Sequence, residues 1–257
     1  MSMILPHWTR GPDRGTPIVF LHGFAGDHET WIGQQIALET RFRTIAFDLP
    51  GHGAALEWPK IGHAGISAEA VIGSLSALGI ERFHLVGHSM GGATATIVAF
   101  KLAEQRRLAS LTLVAPGGFG PEINSRLLRR FAAATDTHEI HSLLEQFFGF
   151  EKPVPMAAAQ RMAEARRDPR VGATLVRVAE AILDGERQKS FDLPRLAELP
   201  HPVRVIWGDQ DRVLPLGQTR NVPGVVAVHV FPGVGHMPHL EVSREVSRLV
   251  AESAVAP

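Results

Sequence analysis

The sequence contains no cysteine and no tyrosine. Without thiols there can be no disulfide, no thiolate zinc site, no iron–sulfur cluster and no cysteine nucleophile. Without a phenol there is neither a tyrosine acid nor a tyrosine oxyanion donor. Lysine is scarce, present only at Lys60, Lys101, Lys152 and Lys189. Net charge is absent as well, since Lys+Arg and Asp+Glu each number 26. A nucleic-acid binder needs surplus cations to displace phosphate counterions, so no nucleic-acid partner is expected. No apolar run approaches the ~20 residues that span a bilayer. The opening MSMILPHWTRGPDRG lacks the n-region and h-region of a secretory signal. These features point to a cytoplasmic protein without a membrane partner. What remains is an ordinary globular composition: 257 residues, 45% hydrophobic and 20% charged. That length buries a substantial core without covalent staples.

Short apolar runs alternate with helical patterns in the first half. The runs are Thr16–Leu21, ending at His22-Gly23; Arg43–Phe47, ending at Asp48-Leu49-Pro50-Gly51; Arg82–Val86, ending at Gly87; and Leu111–Val114, ending at Ala115-Pro116. Helices are predicted at about 30–39, 67–78 and 90–104, the second with Ser67 as N-cap and Gly79 as its stop. Continuous apolar strands separated by helices are the pattern of a parallel sheet covered on both faces. From Gly117 to Pro200 the rhythm changes to amphipathic helices without a convincing strand. Leu127-Leu128-Phe131, Leu143-Leu144-Phe147-Phe148 and Leu175-Val178-Ala179-Ile182 each repeat at helical spacing. Twelve residues of each charge sign balance across this stretch. Strands then return at Val203–Trp207 and Val225–Phe231, and a last helix is predicted at about 243–252. The simplest account is a sheet domain interrupted by a helical insertion.

Gly87-His88-Ser89-Met90-Gly91-Gly92 lies between an apolar strand and an Ala-rich helix. That context is the one a G-x-S-x-G nucleophile turn requires. The turn lifts the Ser89 hydroxyl off the sheet and puts the Met90 amide at a helix N-terminus, where it can face a developing anion. A serine hydroxyl needs a base, and histidine is the usual one because it titrates near neutrality. Among thirteen histidines, His236 is favoured. It sits in the glycine-rich loop Gly233-Val234-Gly235-His236 past the last strand, at the sheet edge where ligands bind in open α/β sheets. A carboxylate must then orient the imidazole. Asp209 and Asp211 both lie just beyond the strand ending at Trp207, and the residues alone do not separate them. A second oxyanion donor is expected from His22-Gly23-Phe24, with the Phe24 amide as the candidate. Phe24, His88, Met90, Phe147 and Met237 are candidate substrate contacts, and packing alone is a competing explanation for His88, Met90 and Phe147. His138 and His141 share a helix face but lack a third ligand, so no metal is expected. Asp48 and His52 read as turn residues, and Trp207 as core.

The segments VFLHGFAG, IAFDLPGHG, LVGHSMGG, WGDQDRVLP and GVGHMPHLE resemble the α/β-hydrolase superfamily over nearly the whole chain. The chain order Ser89, Asp, His236 is that of α/β-hydrolases. The resemblance implies an α/β-hydrolase fold, with a core of residues 1–116 and 201–257 and a helical lid of residues 117–200. It selects Asp211, the last Asp of the WGxxD segment, as the acid. It implies no metal or organic cofactor. APGGFGPEIN, at Ala115–Asn124, and AILDGERQ further resemble the hydrolase-type catalytic domain of the acetoin dehydrogenase dihydrolipoamide acetyltransferase component. A lipoyl domain precedes the catalytic domain in those proteins. No such segment is expected here, since no lysine stands in an Asp-Lys-Ala hairpin. Only about twenty residues precede His22, so one edge strand is expected to be shortened or absent. The resulting expectation is a serine hydrolase acting on a small ester, thioester or related acyl substrate. Acyl transfer to a thiol and C–C bond hydrolysis are the alternatives, and a non-catalytic binding module ranks below them. Oligomeric state stays open, a homo-oligomer included.

Overall fold

The computed structural model describes residues 3–255. Strands β1 (His7–Arg10), β2 (Ile18–Leu21), β3 (Thr44–Phe47), β4 (Phe83–His88) and β5 (Leu108–Val114) form the first part of the chain with helices α1 (Ile32–Leu38), α2 (Ala64–Ala77) and α3 (Met90–Leu102). Helices α4 (Ser125–Ala133), α5 (Thr137–Leu144), α6 (Met156–Ala165) and α7 (Pro169–Ile182) follow, then the short strands β6 (Leu183–Asp184) and β7 (Arg187–Gln188). Strands β8 (Val203–Gly208) and β9 (Ala227–Phe231), with helices α8 (Pro238–Glu241) and α9 (Ser243–Val255), complete it.

The main sheet has the order β1-β3-β2-β4-β5-β8-β9. Only β1 runs antiparallel, pairing with β3 from His7↔Phe47 to Arg10↔Thr44. The remaining neighbours are parallel. Every residue of β2, β3 and β4 is buried, which is why these strands read as mostly apolar runs. Their side chains nevertheless divide by parity, as strand geometry demands. Val19, Leu21, Ile45, Phe47, Leu85 and Leu113 join one core with α2 and α3 residues such as Val71 and Val98. Ile18, Phe20, Ala46, Val86 and Ile206 join the opposite core, closed by Trp31, Leu38, Val246 and Leu249.

The strand order turns between β2 and β4, so the loops after them diverge and leave a crevice at the sheet's carboxyl edge. All parallel strands end at that edge. The loops after β2, β4, β8 and β9 therefore open onto the same rim.

Several expected boundaries shift. Helix α2 begins at Ala64 with His63 as its N-cap, the imidazole accepting from the Gly65 amide at 3.1 Å. Ser67 is a buried residue inside that helix. Gly79 ends it with φ 68°. The edge strand is present as the four residues of β1. Between β5 and β8, α4 packs on α7 and α5 on α6, burying Leu127, Leu128, Phe131, Leu143, Leu144, Leu175, Val178 and Ala179. This stretch also holds the hairpin of β6 and β7, with pairs Leu183↔Gln188 and Asp184↔Arg187. Two pairs are too few to leave a periodic signature. Among the described residues no helix is long and apolar enough to cross a membrane.

The turn from β4 into α3 is held open by close packing. Ser89 has φ 51° and ψ −115°, outside the regions an L-residue ordinarily takes. At Gly91 a Cβ would overlap the carbonyl oxygens of Leu21 and His22, so α3 abuts the end of β2. Gly91→Ala is expected to lower the unfolding free energy by about 1–3 kcal/mol through overpacking. Urea unfolding followed by circular dichroism measures it, and an unchanged midpoint would show that the end of β2 moves aside.

Candidate active site

Ser89 follows β4, Asp211 follows β8 and His236 follows β9, and the structure brings the three together. Ser89 Oγ lies 2.9 Å from His236 Nε2, and His236 Nδ1 lies 2.8 Å from Asp211 Oδ2. The imidazole and the carboxylate are both sealed, with side-chain exposures of 2% and 0%. Asp211 is fixed on every side. Its Oδ1 accepts the amides of Val213 at 2.8 Å and Leu214 at 2.9 Å. Its Oδ2 accepts the Trp207 indole N–H at 3.0 Å. Trp207 is thus a core residue and also a donor to the carboxylate. Asp209 points elsewhere, accepting the Gly233 amide at 2.8 Å. The choice left open by the residues is therefore resolved spatially: only Asp211 meets the imidazole.

Phe24 and Met90 border the same cavity as Ser89. Met90 is the first residue of α3. The loop carrying Phe24 passes so close that a Cβ on Gly23 would stand 3.2 Å from Ser89 Cβ. Among the described residues neither amide donates a hydrogen bond to another protein group. The Gly23 carbonyl accepts from His22 Nδ1 at 2.8 Å and from the Gly26 amide at 3.2 Å. In a trans peptide the Phe24 N–H points away from that carbonyl, so these bonds set its direction.

Two cavities meet at Ser89. One, of about 450 Å³, is bordered by Phe24, Ser89, Met90, Ile97, Leu128 and Phe191. The other, of about 720 Å³, is bordered by Phe24, Ser89, Phe131, Phe147, His236 and Met237. Phe24 faces both, Met90 the smaller, and Phe147 and Met237 the larger. His88 borders the larger cavity but is 3% exposed. Its Nε2–H donates to the His236 carbonyl at 2.8 Å, so it holds the His236 loop from behind. No sequence signal marks that contact, which depends on a loop 148 positions away. Asp48 is a turn residue as expected, accepting the His28 and Ala54 amides at 2.8 and 2.7 Å. His138 is exposed on α5 while His141 Nε2 donates to the Val154 carbonyl at 2.9 Å. No cluster with metal-ligand character occurs among the described residues.

Four further histidines, His22, His52, His88 and His239, are buried around this centre. Burial in an apolar surround disfavours the imidazolium of each. His52 is pushed down to about 3, by burial and then by neighbouring His22. His239 is also pushed down to about 3, by burial and then by His236. His22 and His88 are lowered for the same leading reason. His22 uses both nitrogens in its neutral form, since Nε2 accepts the Leu49 amide at 2.9 Å.

These shifts have a definite sign. Below the ordinary value of 6.5 an unfolded chain protonates His52 and His239, while the folded chain resists down to about 3. Their contribution is therefore complete above about pH 6.5 and is lost as pH falls toward 3, at up to about 1.4 kcal/mol per pH unit for each group. Urea unfolding at pH 7.5, 6 and 5 is expected to show that decline, and His239→Phe a shallower one. Equal slopes for the two proteins would contradict the assignment.

Residues 18–249 match the model of the alpha/beta hydrolase family. The chain is 38% identical over 238 residues to the dihydrolipoyllysine-residue acetyltransferase component of the acetoin cleaving system from Pseudomonas putida, covering 93% of this chain and 63% of that protein. It thus spans less than two thirds of that relative's length. It is 30% identical over 272 residues to the 2-hydroxy-6-oxo-6-phenylhexa-2,4-dienoate hydrolase of Comamonas testosteroni, covering 98% of this chain and 92% of that one. Among solved structures, the 2-hydroxy-6-oxo-6-phenylhexa-2,4-dienoate hydrolase of Rhodococcus sp. superposes with a TM-score of 0.84 at 25% identity, over 97% of this chain and 94% of that one. With the family model spanning most of the sequence, the chain belongs to the alpha/beta hydrolase family.

Proposed function

We propose that this enzyme is a serine hydrolase that cleaves a small ester, thioester or related acyl substrate through an acyl-enzyme. The observation that carries the reading is the continuous chain from Ser89 through His236 to Asp211, with links of 2.9 and 2.8 Å, at the junction of two cavities. In this reading Ser89 Oγ attacks the acyl carbon as its proton passes to His236 Nε2. Asp211 holds the imidazole in the Nδ1–H form and offsets the charge it gains. The Phe24 and Met90 amides receive the tetrahedral oxyanion, each donor contributing about 3–4 kcal/mol of transition-state stabilisation. Collapse expels the leaving group, which takes the proton from His236. Water then repeats the sequence on the acyl-enzyme and restores Ser89. Residues 117–200 act as the lid: helix α4 supplies Leu128 to both cavities and Phe131 to the larger one, and the turn after α5 supplies Phe147 to the larger one. The Phe24 side chain lies against both the acyl and the leaving group.

A second reading has its own support. The relative at 38% identity carries the name of an acetyltransferase component, which favours a thiol in place of water as acyl acceptor. Product analysis with dihydrolipoamide present distinguishes the two, because transfer consumes the thiol and hydrolysis does not.

Hydrolysis of p-nitrophenyl acetate and butyrate tests the central reading. Ser89→Ala is expected to lower kcat by about 10⁴–10⁶-fold, with the fold retained. Undiminished turnover by that variant would overturn the assignment.

A further inference from the structure

Glu241 closes α8 and has no part in the chemistry proposed above. Its carboxylate is nonetheless a meeting point of backbone amides. Oε2 accepts from Gly149 N at 2.8 Å and Gly235 N at 3.1 Å. Oε1 accepts from Gly235 N at 3.0 Å and Met237 N at 3.2 Å. Gly235 and Met237 are the two neighbours of His236, and Gly149 lies beyond α5 in the helical segment. Among the described residues no Lys, Arg or His pairs with this carboxylate, so amide dipoles are its partners. Bonds from a charged acceptor to several amides are the stronger kind.

The two loops are joined from the other side too. The His236 amide donates to the Phe147 carbonyl at 2.7 Å. At Gly235 a Cβ would stand 2.6 Å from Gly149 N and 2.7 Å from the Phe147 oxygen, so the backbones touch. The Phe147 ring centre lies 6.0 Å from that of His236. Arg212 Nη2 donates to the Phe148 carbonyl at 2.8 Å, and the Phe150 amide to Gln210 Oε1 at 2.8 Å. Residues 147–150 are thereby tied to the loops carrying both His236 and Asp211.

We propose that Glu241 is a positioning residue: it fixes His236 through the amides on either side of it, and it locks residues 147–149 to the same loop. A loop with glycine at positions 233 and 235 has little stiffness of its own. Removing the carboxylate leaves the Gly149, Gly235 and Met237 amides without that acceptor and frees the imidazole to drift from Ser89. Small displacements of a base are costly to rate, whereas apolar contacts of the substrate survive them. This inference rests on the Ser89–His236–Asp211 reading.

The test is steady-state hydrolysis of p-nitrophenyl butyrate by Glu241→Gln and Glu241→Ala, alongside His236→Ala, with folding checked by circular dichroism. Gln puts an N–H donor against amide donors, and Ala removes the acceptor entirely. In a folded variant kcat is expected to fall at least tenfold while KM stays within about threefold. Unchanged kcat, or a change confined to KM or to melting temperature, overturns the proposal. Loss of the fold in both variants assigns the carboxylate to global stability and overturns it as well. Wild-type turnover by His236→Ala would instead defeat the underlying triad reading, whatever Glu241 does.

Discussion

The hydrogen bond between His236 and Ser89 is the constraint on which the rest of the molecule's organisation turns. Its two ends lie 147 positions apart in sequence. They meet only because β4 and β9 are parallel members of one sheet and end at the same rim. Parallel pairing requires helical crossovers, and both faces of the sheet are consequently covered. The apolar cores on either face thus fix where three strand ends stop, and with them where Ser89, Asp211 and His236 meet. Trp207 shows the connection most clearly. Its ring fills the core beside Phe119, with centroids 6.0 Å apart, and its indole N–H holds Asp211.

Around that centre the protein concentrates neutral imidazoles. His22 directs the Gly23–Phe24 peptide, His88 braces the His236 carbonyl, and His239 packs 4.3 Å from the His88 ring. Burial keeps these rings uncharged, so they serve as fixed dipoles and spacers without adding positive charge beside His236. The same burial leaves polar atoms such as His88 Nδ1 and both nitrogens of His239 without partners among the described residues. Stability is thereby linked to pH through residues that the proposed reaction does not itself use. The two cavities share Ser89, Phe24, Leu128 and Val213 in their walls.

Much of this was legible in the sequence because local chemistry carried it. Fully buried strands leave continuous apolar runs, and the serine turn, the His22-Gly23 loop and the His236 loop each carry small residues where backbones must touch. The helical segment was legible from the spacing of Leu127, Leu128 and Phe131. Other features had no local signal. Asp209 and Asp211 occupy similar places along the chain: residue chemistry alone leaves them equal, the WGxxD resemblance picks Asp211, and in space the Trp207 indole and the His236 ring meet Asp211 while Asp209 turns to the Gly233 amide. For His88 the sequence leaves pocket lining and packing as equal readings, and its donor contact, on a loop brought in from the far end of the sheet, has no local signal. The start of α2 was missed because an imidazole, His63, takes the capping role that Ser67 was expected to fill. The hairpin of β6 and β7 is too short to have a period.

The proposed chemistry is tested most directly by mapping the site of a fluorophosphonate adduct by peptide mass spectrometry, and by following its rate of formation in the wild type and in His236→Ala. A phosphonyl group on Ser89 alone, formed at least a hundredfold more slowly without the imidazole (about 2.7 kcal/mol), is the expected result. Modification at another residue, or equal rates in the two proteins, would contradict the account.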